Sequence, residues 1–181
     1  MKKLNCRHPF EVNKELVGIQ KKYEETELLL KIGSNDVRTL GLWGMGGTGK
    51  ITLAKDLYAK LCCQFEHHCF LENVREESIR CGLRAVRSKL FSTLLELHLD
   101  SPYVETPMLL RKLACERNFT VLDDVATLEQ AENFNIGNNC LGQGSRIMVT
   151  TRDKQICSEF DECEIYEVKE LNEDESLQLF C

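Results

Sequence analysis

Trp43-Gly44-Met45-Gly46-Gly47-Thr48-Gly49-Lys50-Ile51-Thr52-Leu53-Ala54 is the stretch whose reading decides the fold. It holds Gly-x-x-x-x-Gly-Lys between an apolar run, residues 38–43, and a segment in which Leu53, Leu57, Tyr58 and Leu61 recur at helical spacing. This predicts a strand over 38–43 and a helix over 50–61, the context in which the motif forms a phosphate-binding loop. Gly44, Gly46, Gly47 and Gly49 let the backbone turn its N–H groups toward one polyphosphate, and the helix adds its positive N-terminal end. Lys50 supplies a point charge for the outer phosphates. The next position requires Ser or Thr, whose hydroxyl binds Mg²⁺, and it is Ile51.

Working outward, 181 residues suffice for one α/β domain with a core. The net charge of −6 gives no electrostatic ground for a nucleic-acid surface, so an anionic ligand has to be captured locally. The basic start Met1-Lys2-Lys3 leads into no apolar signal region, and nowhere do about 18 apolar residues run together. A soluble, cytoplasmic protein without a membrane partner is expected, and its ten cysteines then read as reduced thiols.

Residues 1–14 show no period and are expected to be a linker. Tyr23, Leu28, Leu29, Leu30 and Ile32 lie on a roughly helical stripe that stops near Gly33. Downstream, the pattern predicts strands over 69–74, 119–125, 146–151 and 165–168, and helices over 83–97, 108–115 and 127–134. Strands alternating with helices argue for a sheet, mostly parallel and five-stranded, covered on both faces. Asn172 with Glu175 resembles a capping box opening another helix, and the chain stops while that pattern continues. A nucleotide-binding domain over 15–170 and the start of a further element over 171–181, within a longer protein, are therefore expected.

Asp123 and Asp124 follow an apolar strand, at the end where open α/β sheets bind ligands and where a carboxylate holds Mg²⁺ in phosphate-loop proteins. On that logic Asp123 is the metal carboxylate and Asp124 the catalytic group that polarises a water. Arg152 ends another strand, and its fork suits phosphate oxygens. Cys62, Cys63, His67, His68 and Cys69 lack the pair spacing of zinc sites, and the thiols are expected to pack as small apolar groups. Trp43 is expected in the core, and the acidic run 159–164 on a solvated face.

Five ordered segments carry a resemblance: residues 44–50, Phe70-Leu71-Glu72-Asn73-Val74-Arg75-Glu76, Val121-Leu122-Asp123-Asp124-Val125, residues 144–154 and residues 166–180. Together they resemble the NB-ARC nucleotide-binding domain of plant intracellular immune receptors, in the branch preceded by a TIR domain and followed by leucine-rich repeats. The resemblance implies a P-loop NTPase three-layer fold and an ADP/ATP switch, in which exchange of ADP for ATP permits self-association and signalling. It also implies that Val17, Gly18 and Ile19 meet the adenine, that Gly46, Gly47, Thr48, Gly49, Lys50, Ile51 and Thr52 meet the phosphates, and that Arg152 is a sensor. The Arg152 strand should lie between the loop strand and the Asp123 strand.

Two departures limit what carries over. The family has Gly-Lys-Thr-Thr where this chain has Gly49-Lys50-Ile51-Thr52, and one step along a helix turns a side chain by about 100°, so Thr52 does not replace the missing hydroxyl. ADP binding is expected to persist and Mg²⁺-dependent ATP hydrolysis to be weak at most. The later family elements, including the winged-helix histidine, are absent from this sequence. A degenerate interaction or decoy module and a generic P-loop ATPase are the alternatives.

Overall fold

The computed structural model describes residues 19–96, 107–137 and 140–170. The expected linker, Val17, Gly18, the breaker near Pro102 and the terminal helical element lie outside the described residues. Five strands form one sheet: β1 (Arg38–Trp43), β2 (His67–Leu71), β3 (Asn118–Leu122), β4 (Arg146–Thr151) and β5 (Cys163–Glu167). Their order is β2-β3-β4-β1-β5, and every pairing is parallel. The Arg152 strand β4 thus lies between the loop strand β1 and the Asp123 strand β3, as the family resemblance implies.

Parallel neighbours need crossovers, and the helices supply them on both faces. One face is covered by α1 (Ile19–Leu30) and α2 (Lys50–Leu61), whose Tyr23, Leu30, Leu53, Leu57 and Leu61 pack against Leu40, Leu42, Phe119, Val121 and Met148. The other is covered by α3 (Val74–Cys81), α4 (Leu83–Leu94), α5 (Pro107–Cys115), α6 (Leu128–Phe134) and α7 (Lys154–Cys157). There Val86, Leu90, Phe91, Leu113, Phe134 and Ile156 meet Leu71, Leu122, Ile147 and Val149. The period-2 alternation along β4, with Met148 on one face and Ile147 and Val149 on the other, makes three layers from one buried strand.

A single side chain fastens the lower edge of the sheet. Arg146, wholly buried at the start of β4, donates to the carbonyls of Leu30, Lys31, Ser34, Asp36 and Ser145 and to the Ser34 hydroxyl. It closes the C-terminal carbonyls of α1 and the turn into β1. Burial of the charge pulls its pKa below the ordinary arginine value.

Several boundaries differ from the sequence reading. β2 ends at Leu71, not at residue 74, because Asn73 takes a left-handed φ of 50° and Val74 begins α3 with its N–H on the Asp123 carbonyl. β5 begins at Cys163, so the end of the acidic run belongs to a strand, where Glu164 meets Arg38. In α1 the buried stripe is Tyr23, Thr26 and Leu30, with the Thr26 hydroxyl returned to the carbonyls of Lys22 and Tyr23, while Leu28 is 75% exposed. Cys62 and Cys69 pack as expected, but Cys63 is exposed. His68 shares a hydrogen bond with the Tyr58 hydroxyl at 2.7 Å, and His67 with Glu116. Among the described residues no helix is long and apolar enough to cross a membrane.

Candidate functional site

The carboxyl ends of β1, β2, β3 and β4 converge on one cavity of about 510 Å³. Its lining joins Gly46, Gly47, Gly49, Lys50, Ile51 and Thr52 from the loop and α2 to Asp123, Asp124, Thr150 and Arg152 from the neighbouring strand ends. Residues separated by some seventy to one hundred positions of chain meet because α/β crossovers bring every strand's C-terminal end to the same edge.

The loop's shape depends on glycine. Gly47 and Gly49 hold φ of 84° and 87°, which a side chain would strain. Gly49 also stands at the N-cap of α2, where it offers no side-chain cap, so the first-turn amides lack an intrahelical partner. Gly44 leaves β1 with its N–H on the Thr151 carbonyl, and a Cβ there would fall 2.5 Å from the Val168 carbonyl oxygen. Gly44 and Thr48 support the loop from beneath and do not line the cavity. The Thr48 hydroxyl donates to the Met45 carbonyl at 3.0 Å.

Lys50 turns its ammonium onto the loop itself, donating to the carbonyls of Gly44 at 2.7 Å and Met45 at 2.6 Å. Its pKa lies below the ordinary lysine value, first because it is desolvated and next because Arg152 is near; Asp124 and Asp123 oppose the shift. Arg152 lies across the loop, its guanidinium carbon 3.5 Å from where a Cβ on Gly46 would stand. Its carbonyl accepts the Trp43 indole N–H at 3.2 Å, so Trp43 holds the Arg152 backbone from a half-buried position at the site's rim.

The paired carboxylates differ. Asp123 is buried, with Oδ1 accepting the Thr150 hydroxyl at 2.7 Å and Oδ2 the Asn73 amide at 3.3 Å. Asp124 takes a left-handed φ of 55°, its amide donating to the same Thr150 hydroxyl oxygen at 2.9 Å. That turn carries its carboxylate to Arg75, with Nε 2.9 Å from Oδ2, and toward Arg152, with Nε 3.9 Å from Oδ1. Both oxygens of Asp124 therefore face guanidinium groups.

Four lining residues were not assigned to the site from sequence: Asn73, Arg75, Glu76 and Thr150. A signal existed, because Asn73 to Glu76 directly follow the C-terminal end of a strand. Ile19, expected at the adenine, is the first residue of α1, and its side chain lies outside the described ones. Thr52 borders the cavity although it is one residue beyond Ile51. Both residues of the first turn of α2 thus border the cavity.

The donor set fits a polyphosphate: loop amides, the Lys50 ammonium and the Arg152 fork surround one space. It fits a loop-held Mg²⁺ less well. Asp123 offers its carboxylate, but the residue after Lys50 presents an aliphatic side chain, 37% exposed on the cavity wall, with no oxygen to coordinate.

The NB-ARC domain family matches residues 20–181 of this chain. Disease resistance protein RPV1 of Vitis rotundifolia is 38% identical across 99% of the chain, which covers 13% of that protein. TMV resistance protein N of Nicotiana glutinosa is 34% identical over 97% of the chain, covering 16% of that protein. Disease resistance protein RRS1 of Arabidopsis thaliana is 36% identical over 91% of the chain, covering 12% of that protein. The chain thus spans less than one sixth of the length of these relatives. A family match over nearly all the described residues, on a parallel sheet whose strand ends gather the loop, the paired carboxylates and Arg152, makes this chain a member of the NB-ARC family.

Proposed function

We propose that this chain is the ADP-holding switch module of an intracellular plant immune receptor, acting in defence signalling between TIR and leucine-rich-repeat portions. The observation that carries the reading is the single cavity in which Lys50, the loop glycines, Asp123, Asp124 and Arg152 meet. In this reading the amides of residues 46–52 and Lys50 hold the phosphates, while Val17, Gly18 and Ile19 approach the adenine. Arg152 reads the outer phosphate. A bound nucleotide supplies the anionic charge that the loop amides and the two cations compensate. Replacement of ADP by ATP frees the receptor to self-associate, in the cytoplasm.

Hydrolysis is weak at most. Asp123 is the residue for a metal ion, but Ile51 brings no coordinating oxygen, so no step is assigned to Mg²⁺. Asp124 is the residue for polarising a water, and Arg75 must first release its Oδ2. A second reading, a degenerate interaction module that binds nucleotide poorly, draws on Ile51 at the cavity wall.

Mass spectrometry of nucleotide copurifying with the protein, with calorimetric titration of ADP and ATP with and without Mg²⁺, tests the proposal. ADP is expected to bind equally with and without Mg²⁺. Ile51→Thr should raise Mg²⁺-dependent ATP affinity by about tenfold or more, which is about 1.4 kcal/mol. Absence of any ADP binding favours the second reading, and an unchanged response in Ile51→Thr refutes the role given to residue 51.

A further inference from the structure

Two thiols meet over a residue that has no side chain. β5 runs beside β1 with Thr39 paired to Cys163 and Gly41 to Ile165. Alternate strand residues share a face, so Cys163 rises on the same face as Gly41. Cys157, the last residue of α7, packs onto that face and is wholly buried. A Cβ built on Gly41 would stand 2.5 Å from the Cys157 sulfur and 3.2 Å from the Cys163 sulfur. Both sulfurs therefore occupy the space that a side chain at residue 41 would take. Both cysteines are free, and the Cys163 thiol donates to the Glu164 carbonyl at 3.6 Å.

We propose that Cys157 and Cys163 form a redox modification site, a dithiol that hydrogen peroxide converts into a disulfide joining α7 to the edge strand β5. Three features support this assignment. The sulfurs are already neighbours, so little backbone movement separates the dithiol from the bonded pair. The nearness of the two thiols lowers the Cys157 pKa and raises that of Cys163. Among the described strands β5 has a neighbour on one side alone, so local opening of this edge gives a small oxidant its path to the buried sulfur.

The chemistry balances without a cofactor. The Cys157 thiolate attacks one peroxide oxygen and the O–O bond breaks, leaving a sulfenic acid and a hydroxide that gains a proton to become water. The Cys163 sulfur then attacks the sulfenic sulfur. The S–S bond forms, the S–O bond breaks, and the oxygen leaves as a second water with the thiol proton. The dithiol is oxidised by two electrons, and one peroxide becomes two waters.

The bond would join two elements that neighbour the nucleotide site without lining it. α7 starts two residues after Arg152, while β5 leads into Val168, whose carbonyl lies against Gly44. The modification itself is independent of the nucleotide reading, and its test needs no nucleotide.

Both cysteines fall within one tryptic peptide, residues 155–169, because Lys154 and Lys169 flank it with no Lys or Arg between. The whole chain is treated with hydrogen peroxide, blocked with N-ethylmaleimide, digested and weighed. The expected result is a 155–169 peptide lighter by two hydrogens that carries no maleimide and takes up two after dithiothreitol. In Cys163→Ser, a change at the half-buried position, the Cys157 sulfenic acid persists and is labelled by dimedone. The proposal is overturned if the oxidised wild-type peptide still takes two maleimides, or if its cysteines are joined to others. It is also overturned if Cys163→Ser gives no dimedone adduct, or if the pair forms as fast in guanidinium-unfolded chain as in folded chain.

Discussion

Replacing Arg146 by methionine removes the one cation that gathers the end of α1, the turn before β1 and the start of β4. The methionine fills much of the same volume but leaves the carbonyls of Leu30, Lys31, Ser34, Asp36 and Ser145 without their shared donor. At about 1.5–3 kcal/mol for each hydrogen bond to a charged group, simple addition would equal the whole stability of a domain, about 5–15 kcal/mol. Two effects reduce it. Desolvating a buried guanidinium costs several kcal/mol of what the bonds return, and water reaches Lys31 and Ser34 once the side chain is gone. One-sided removal of a buried, bonded charge therefore sets the scale, about 3–5 kcal/mol. For a domain of this length that lowers the melting temperature by roughly 6–20 °C. Arg146→Lys keeps the charge but not the fork, and should lose about half as much. Urea unfolding followed by circular dichroism measures both, with m unchanged. Arg146 stands at the amino end of the strands, opposite the cavity, so ADP affinity of the folded fraction should not change. A loss below about 1 kcal/mol in Arg146→Met, or a loss of ADP affinity at constant stability, would refute the assignment of a purely structural role.

Two further outcomes are expected. Gly44→Ala places a methyl 2.5 Å from the Val168 carbonyl, so β5 must shift away from β1; overpacking of this kind costs about 1–3 kcal/mol, and calorimetric ADP titration should show weakened binding through the displaced loop. Tyr23 is pushed up to about 12, first by burial and then by Glu27. Its phenol stays protonated in the fold at pH values where the unfolded chain has ionised, so the unfolded state binds fewer protons and stability falls as pH rises from 10 toward 12. Tyr23→Phe should flatten that part of the profile in chemical denaturation, and an unchanged slope would count against the burial argument.

The fold was most legible where local pattern and long-range packing agree. β1, α2 and β4 have the bounds read from sequence, because an apolar strand, a glycine loop and a 3.6-residue stripe each announce themselves within a few residues. The start of α3 was not legible, since Val74 is strand-like by composition and becomes helical because its N–H finds the carbonyl of Asp123, far along the chain. α7 is four residues long, too short to show a period. At the site, the loop, Asp123, Asp124 and Arg152 were readable as residue types at strand ends. Arg75 was not, because its significance is an ion pair with a residue on another strand end that only the sheet order brings near.

The posture of Lys50 bears on what the loop can capture. Its ammonium is already satisfied by two carbonyl oxygens of the loop that carries it, which serve as an internal stand-in for an anion. Ligand capture is therefore a substitution at nitrogen rather than an addition to an idle charge. A single weakly held anion such as chloride offers too little to displace those carbonyls. A polyphosphate offers several charged oxygens at once, and the carbonyls it frees can turn to solvent. On the proposed function, selectivity for extended phosphate chains over simple ions would begin in the loop's own backbone, before any contact with a base or sugar.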